Sequence, residues 1–76
     1  MKKVVIKIDG IYDISRFVDA ASRVKEPGVT VRKGATILDG TSFIGMLSLN
    51  TKDGIIIEYS EKEVEFDKFI EEFKEK

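Results

Sequence analysis

Surface chemistry needs a nucleophile, a titrating group or a charged anchor, and this chain offers few of them in suggestive company. The most distinctive is Ser42, in the run Asp39-Gly40-Thr41-Ser42-Phe43-Ile44-Gly45-Met46-Leu47-Ser48-Leu49. A hydroxyl there falls where a helix should begin, so Thr41 or Ser42 is expected to cap it, despite the helix-weakening Gly45 inside. The apolar side chains that follow are too numerous for one buried face. On a wheel of about 100° per residue, Met46 and Leu49 are expected inward and Phe43, Ile44 and Leu47 outward. That leaves an apolar patch beside Ser42, of the kind that marks an interaction site. A phosphate on Ser42 would gain from the helix dipole and the first-turn N–H groups, changing surface charge more than fold. The plainer alternative is that Ser42 is only a cap and the patch packs on a loop or a second copy.

The chain contains no histidine and no cysteine. Disulfides and thiolate chemistry are thereby excluded, and so is any relay that holds a labile phosphoryl group on an imidazole nitrogen. Asp13 and Ser15 are poor substitutes: a serine phosphoester is too stable to hand its phosphate on, and an aspartate without a metal has nothing to activate it. Arg16, with Ser15, is a candidate anion contact near the start of the first helix, the alternative being a solvated arginine beside a capping Asp13. Glu61, Glu63, Glu65, Glu71 and Glu72 alternate with lysines as a solvated face does, so no metal site is expected. The loops lack the glycine density and lysine of a nucleotide-phosphate cradle, and no cofactor is expected.

These residues have to be positioned by a small scaffold. Seventy-six residues, 42% hydrophobic and 36% charged, suit one globular domain over 1–76. Thirteen Lys and Arg are offset by fourteen Asp and Glu, leaving no basic footprint for nucleic acid. The start of the chain, Met1-Lys2-Lys3-Val4-Val5-Ile6-Lys7-Ile8, is too short in apolar residues for a signal peptide or membrane span, and a cytoplasmic protein is expected.

Val4, Ile6 and Ile8 alternate as in a first strand, and Asp9-Gly10 ends it. Ile14, Phe17, Val18, Ala21 and Val24 predict a helix capped by Asp13, with Tyr12 and Phe17 stapled around it, ending by Pro27-Gly28. Val29–Arg32 and Ala35–Leu38 read as a hairpin turning at Lys33-Gly34. After the Ser42 helix and a turn over residues 50–54, Ile55-Ile56-Ile57-Glu58-Tyr59 is apolar on both faces at its start and is expected as a central strand. A capping box from Ser60 to Glu63 should open a last helix with Phe66, Phe69, Ile70 and Phe73 on its buried side. The order is β-α-β-β-α-β-α, and helices with apolar stripes lying on one sheet make a two-layer α/β sandwich.

This order, and the wording Ser42-Phe43-Ile44-Gly45-Met46-Leu47-Ser48-Leu49, resemble the HPr family, the small phosphocarrier proteins of the bacterial sugar phosphotransferase system. The segment is similar to the family's regulatory-serine segment, and the likeness spans nearly the whole chain. It implies an α+β open-faced sandwich whose four-stranded antiparallel sheet has order 1-4-2-3, with three helices on one face. It also implies that Ser42 is a regulatory phosphorylation site and that Phe43, Ile44 and Leu47 dock partner proteins. Those partners would be a serine kinase/phosphorylase and, after phosphorylation, a transcription regulator of carbon catabolite control. Where the family carries phosphate on histidine, this chain has Gly10-Ile11-Tyr12-Asp13-Ile14-Ser15-Arg16, so the expectation is a non-catalytic, regulatory member. Relay through an acceptor near Asp13 or Ser15, and a structural homo-oligomer, are the competing readings.

Overall fold

The structure, a computed structural model describing residues 1–74, contains four strands and three helices. They are β1 (Lys2–Ile6), α1 (Ile11–Ser22), β2 (Thr30–Lys33), β3 (Thr36–Asp39), α2 (Phe43–Ser48), β4 (Ile55–Tyr59) and α3 (Val64–Ile70). A 3-10 turn at Thr51–Asp53 precedes β4, and another at Glu71–Phe73 prolongs α3. The strands form one antiparallel sheet in the order β1-β4-β2-β3, with the helices layered on one side: the α+β open-faced sandwich expected. β4 is central, as expected, with Ile55, Ile57 and Tyr59 buried beneath the helices and Ile56 exposed on the open face.

Period-two alternation divides the sheet. Val4, Ile6, Val31, Leu38, Ile55, Ile57 and Tyr59 turn toward the helices, which answer with Ile14, Phe17 and Ala21 of α1, Met46 of α2, and Phe66 and Ile70 of α3. Each fully buried side chain of this size contributes about 1.5–3 kcal/mol, and a domain this small has few to lose.

Four local expectations change. Gly10, at φ 97°, turns the chain directly into α1, so Asp13 lies in the first helical turn and is not the cap. Tyr12 consequently points to solvent while Phe17 is buried, and no staple forms. The hairpin closes with Lys33 opposite Thr36, which shifts the turn by one residue to Gly34-Ala35. Ser60 spends its hydroxyl accepting from the Lys62 N–H (3.2 Å), and its carbonyl accepts from Glu63 N–H (3.0 Å). That turn carries the chain back over the sheet, and α3 starts only at Val64, with no side-chain cap.

β1, β4 and α3 are joined through Asp67. Its Oδ1 accepts from Lys2 Nζ at 2.6 Å and from the hydroxyl of buried Tyr59. The Lys2 bond, then the Tyr59 bond, hold the Asp67 carboxyl below the usual carboxylate range, while burial and Asp67 push the Tyr59 phenol upward. A folded-state pKa below the unfolded one stabilises the protein above the unfolded value near 3.8 and is lost as pH falls through the folded value. Asp67→Asn should therefore cost about 1 kcal/mol near neutral pH. In urea titrations the gap to the parent should narrow as pH falls below the unfolded value near 3.8. A gap independent of pH would contradict this assignment.

Candidate functional site

The segment from β3 to α2 is held by its own polar groups. Asp39 Oδ1 accepts from the Thr41 N–H (2.9 Å) and hydroxyl (2.8 Å), which keeps its carboxyl below the ordinary range. Ser42 N–H donates to the Asp39 carbonyl at 3.0 Å. Ser42 is then the N-cap of α2, its Oγ accepting from Gly45 N–H at 3.2 Å. A Cβ on residue 45 would stand 2.8 Å from that Oγ, so glycine is what lets the cap oxygen approach. At the other end Ser48 Oγ donates to the Gly45 carbonyl at 2.6 Å, closing a helix of only six residues.

Of the expected docking residues, Ile44 is 75% and Leu47 40% exposed, and they lie one helical turn apart. Met46 is wholly buried and Leu49 packs on the core, both as expected. Phe43 is a correction: it is half-buried against the core. In a domain with so little interior, the large area of an aromatic ring gains more from partial burial than from a free surface.

Two further apolar residues, assigned no docking role by sequence reasoning, are exposed on the neighbouring helix: Ile11 and Tyr12, at the start of α1. The segments carrying them and α2 are fastened together at buried Thr51, whose Oγ1 donates to the Ile8 carbonyl (2.7 Å) while Ile8 N–H donates to the Thr51 carbonyl (3.1 Å). α1 and α2 also pack on one another. The tether lies three residues from Ile11 and three from Ser48 along the chain. Thr51→Val keeps the shape but deprives the Ile8 carbonyl of its hydroxyl donor. It should lower stability by about 1–3 kcal/mol, seen as a reduced denaturant midpoint; a midpoint unchanged from the parent would count against the tether.

The other charged candidates sit differently. Arg16 is a clamp between α1 and the C-terminal turn: it donates to Asp13 Oδ1 (3.0 Å) and to Glu72 Oε1 (2.7 Å), and its guanidinium lies 5.4 Å and 5.9 Å from the Phe69 and Phe73 ring centres. Glu72 first, then Asp13, hold it protonated beyond its already high ordinary pKa. With the Asp13 and Glu72 carboxylates already on it, Arg16 offers a further anion little. Ser15 is exposed on α1, next to Arg16 in sequence. Glu61, Glu65, Glu71 and Glu72 are exposed, as on a solvated face. Among the described residues no three acidic side chains converge on a cation-sized site, and no helix is long and apolar enough to cross a membrane.

No family model, curated protein or solved structure matches this chain.

Proposed function

We propose that the chain is an HPr-like module without a carrier histidine, which works by docking other proteins and is regulated at Ser42. One observation supports this reading above the others: a partly exposed serine caps α2, and Ile44 and Leu47 stand uncovered on that same helix. A phosphoryl group on Ser42 would bring about −1.5 to −2 charges to the edge of an apolar surface, which is how a docking site changes partner without changing fold. By the resemblance, the modifying enzyme is a serine kinase/phosphorylase, and the partner met afterwards is a transcription regulator of carbon catabolite control.

The test is incubation with such a kinase and ATP, followed by mass spectrometry of the intact and digested protein. One phosphate on Ser42, absent from Ser42→Ala, is expected. The variant loses an N-cap worth about 1 kcal/mol, so its folding is checked by circular dichroism first. No uptake, or uptake that Ser42→Ala leaves unchanged, defeats the proposal. Leu47→Asp should weaken binding of the phosphorylated protein to the regulator by about tenfold or more, with phosphorylation intact.

A further inference from the structure

The face of the sheet turned away from the helices carries two ordered rows of side chains. Pairing sets Val5 beside Ile56, Ile56 beside Arg32, and Arg32 beside Ile37, so one row runs Val5, Ile56, Arg32, Ile37 from β1 to β3. Two residues along each strand, the next row runs Lys3, Glu58, Thr30, Asp39. Val5 and Ile37, at the ends of the apolar row, are 53% and 56% exposed, and Ile56 between them is exposed as well.

These rows complement themselves under one operation. A half-turn about an axis parallel to the strands, lying above the face between β4 and β2, sets β1 over β3 of a second copy and β4 over its β2. Val5 then meets Ile37 of the second copy, and Lys3 meets Asp39. The aliphatic stem of Arg32 covers Ile56, and its guanidinium comes within reach of the other copy's Glu58. Every contact occurs twice. An axis running across the strands gives no such match: it stacks Arg32 on Arg32, or lays the charged row on the apolar one, and both arrangements are unfavourable.

We propose that two copies of the chain pair face to face through their open sheets, turning two open-faced layers into one aligned β-sandwich. The charges are available for this. Asp39 engages Thr41 through Oδ1 only, which leaves Oδ2 for an incoming lysine, and the Arg32–Glu58 pair within one chain is long, at 3.4 Å. The face is small. Four strands about 4.8 Å apart and four residues rising about 3.3 Å each give roughly 250 Å² of flat surface per copy. Standard interfaces bury about 800 Å² of accessible surface on each partner, so the dimer should be weak and driven by concentration. It leaves Ile44, Leu47 and Ser42 free, since they belong to the helical layer.

Sedimentation equilibrium up to about 1 mM protein tests this. The parent should show a monomer–dimer equilibrium. Val5→Asp and Ile37→Lys should each weaken dimerisation by about tenfold or more, with the far-ultraviolet spectrum and the melting temperature of the dilute monomer retained. Mixing the two variants should restore a heterodimer, because residue 5 of one copy faces residue 37 of the other. Lys3→Glu, which removes no apolar contact, should also weaken the pair, and Leu47→Asp should not. A monomer at every concentration overturns the proposal, as does a dimer indifferent to the sheet variants or abolished by Leu47→Asp. Single variants that disrupt without mutual rescue would overturn the stated register.

Discussion

Phe66→Ala is expected to lower stability by about 3–5 kcal/mol, the largest loss of any change considered for this chain. The ring is buried where three elements converge. Its edge contacts run to Phe17 of α1 (5.9 Å between centres, 67° between planes) and to Tyr59 of β4 (5.0 Å, 78°), and Phe69 lies 6.2 Å away on its own helix. Truncation forfeits the transfer of an aromatic side chain and leaves a void that short helices anchored on both sides fill poorly. At 0.05–0.15 kcal/mol per residue, a chain of this length has roughly 4–11 kcal/mol in all. The variant should therefore show a strongly reduced urea midpoint, or no cooperative transition at the low end of that range. Phe66→Leu, which keeps most of the volume but loses the ring edges, should cost about 1–2 kcal/mol. An alanine variant within about 0.5 kcal/mol of the parent would mean that α3 is not packed as described.

Gly40→Ala comes next, and it acts on the loop that positions Ser42. A Cβ on residue 40 would stand 2.8 Å from Val29 Cγ1, 3.0 Å from Val29 Cβ and 3.2 Å from the Val29 carbonyl oxygen. That carbonyl already accepts the Gly40 N–H at 2.8 Å, and Val29 is buried. Neither residue can step aside, because Val29 leads into β2 and Gly40 leaves β3, so the clash falls across the open end of the hairpin. A cost of about 1–3 kcal/mol is expected, with amide shift changes through Thr41 and Ser42 in NMR spectra. Val29→Ala in the same background should recover part of it by removing the nearest contact while leaving the other two. A double-mutant cycle with no coupling would show that the two residues do not meet.

The sheet was legible because its residues repeat a simple period. Val4, Ile6 and Val31 mark one face, and a strand apolar on both faces, Ile55 to Ile57, belongs in the middle. The strand order came from the resemblance, and the same pairing is present. What stayed hidden depends on partners distant in sequence or on backbone angles. Arg16 finds Glu72 56 residues away, and Thr51 finds Ile8 43 residues away, separations at which local periodicity says nothing. The early start of α1 rests on the φ angle of Gly10, and aspartate at position 13 suits a first turn as well as a cap. At the candidate site, the capping role of Ser42 and the outward Ile44 and Leu47 could be read from hydroxyl position and wheel angle. Phe43 could not, because partial burial of a ring is decided by how much interior the whole domain has to offer.

The pairing of β1 with β4 also sets the order of events during synthesis. Lys2 has to wait for Tyr59 to emerge before it gains a neighbour, and the core closes only once Phe66 has followed. Until then the nascent chain presents a hairpin and helices with no lid, so folding is close to all-or-nothing and waits for β4 and α3 to emerge. A ribosome stalled in the Asn50–Gly54 turn would hold a polypeptide whose isoleucine-rich keystone strand has yet to be made.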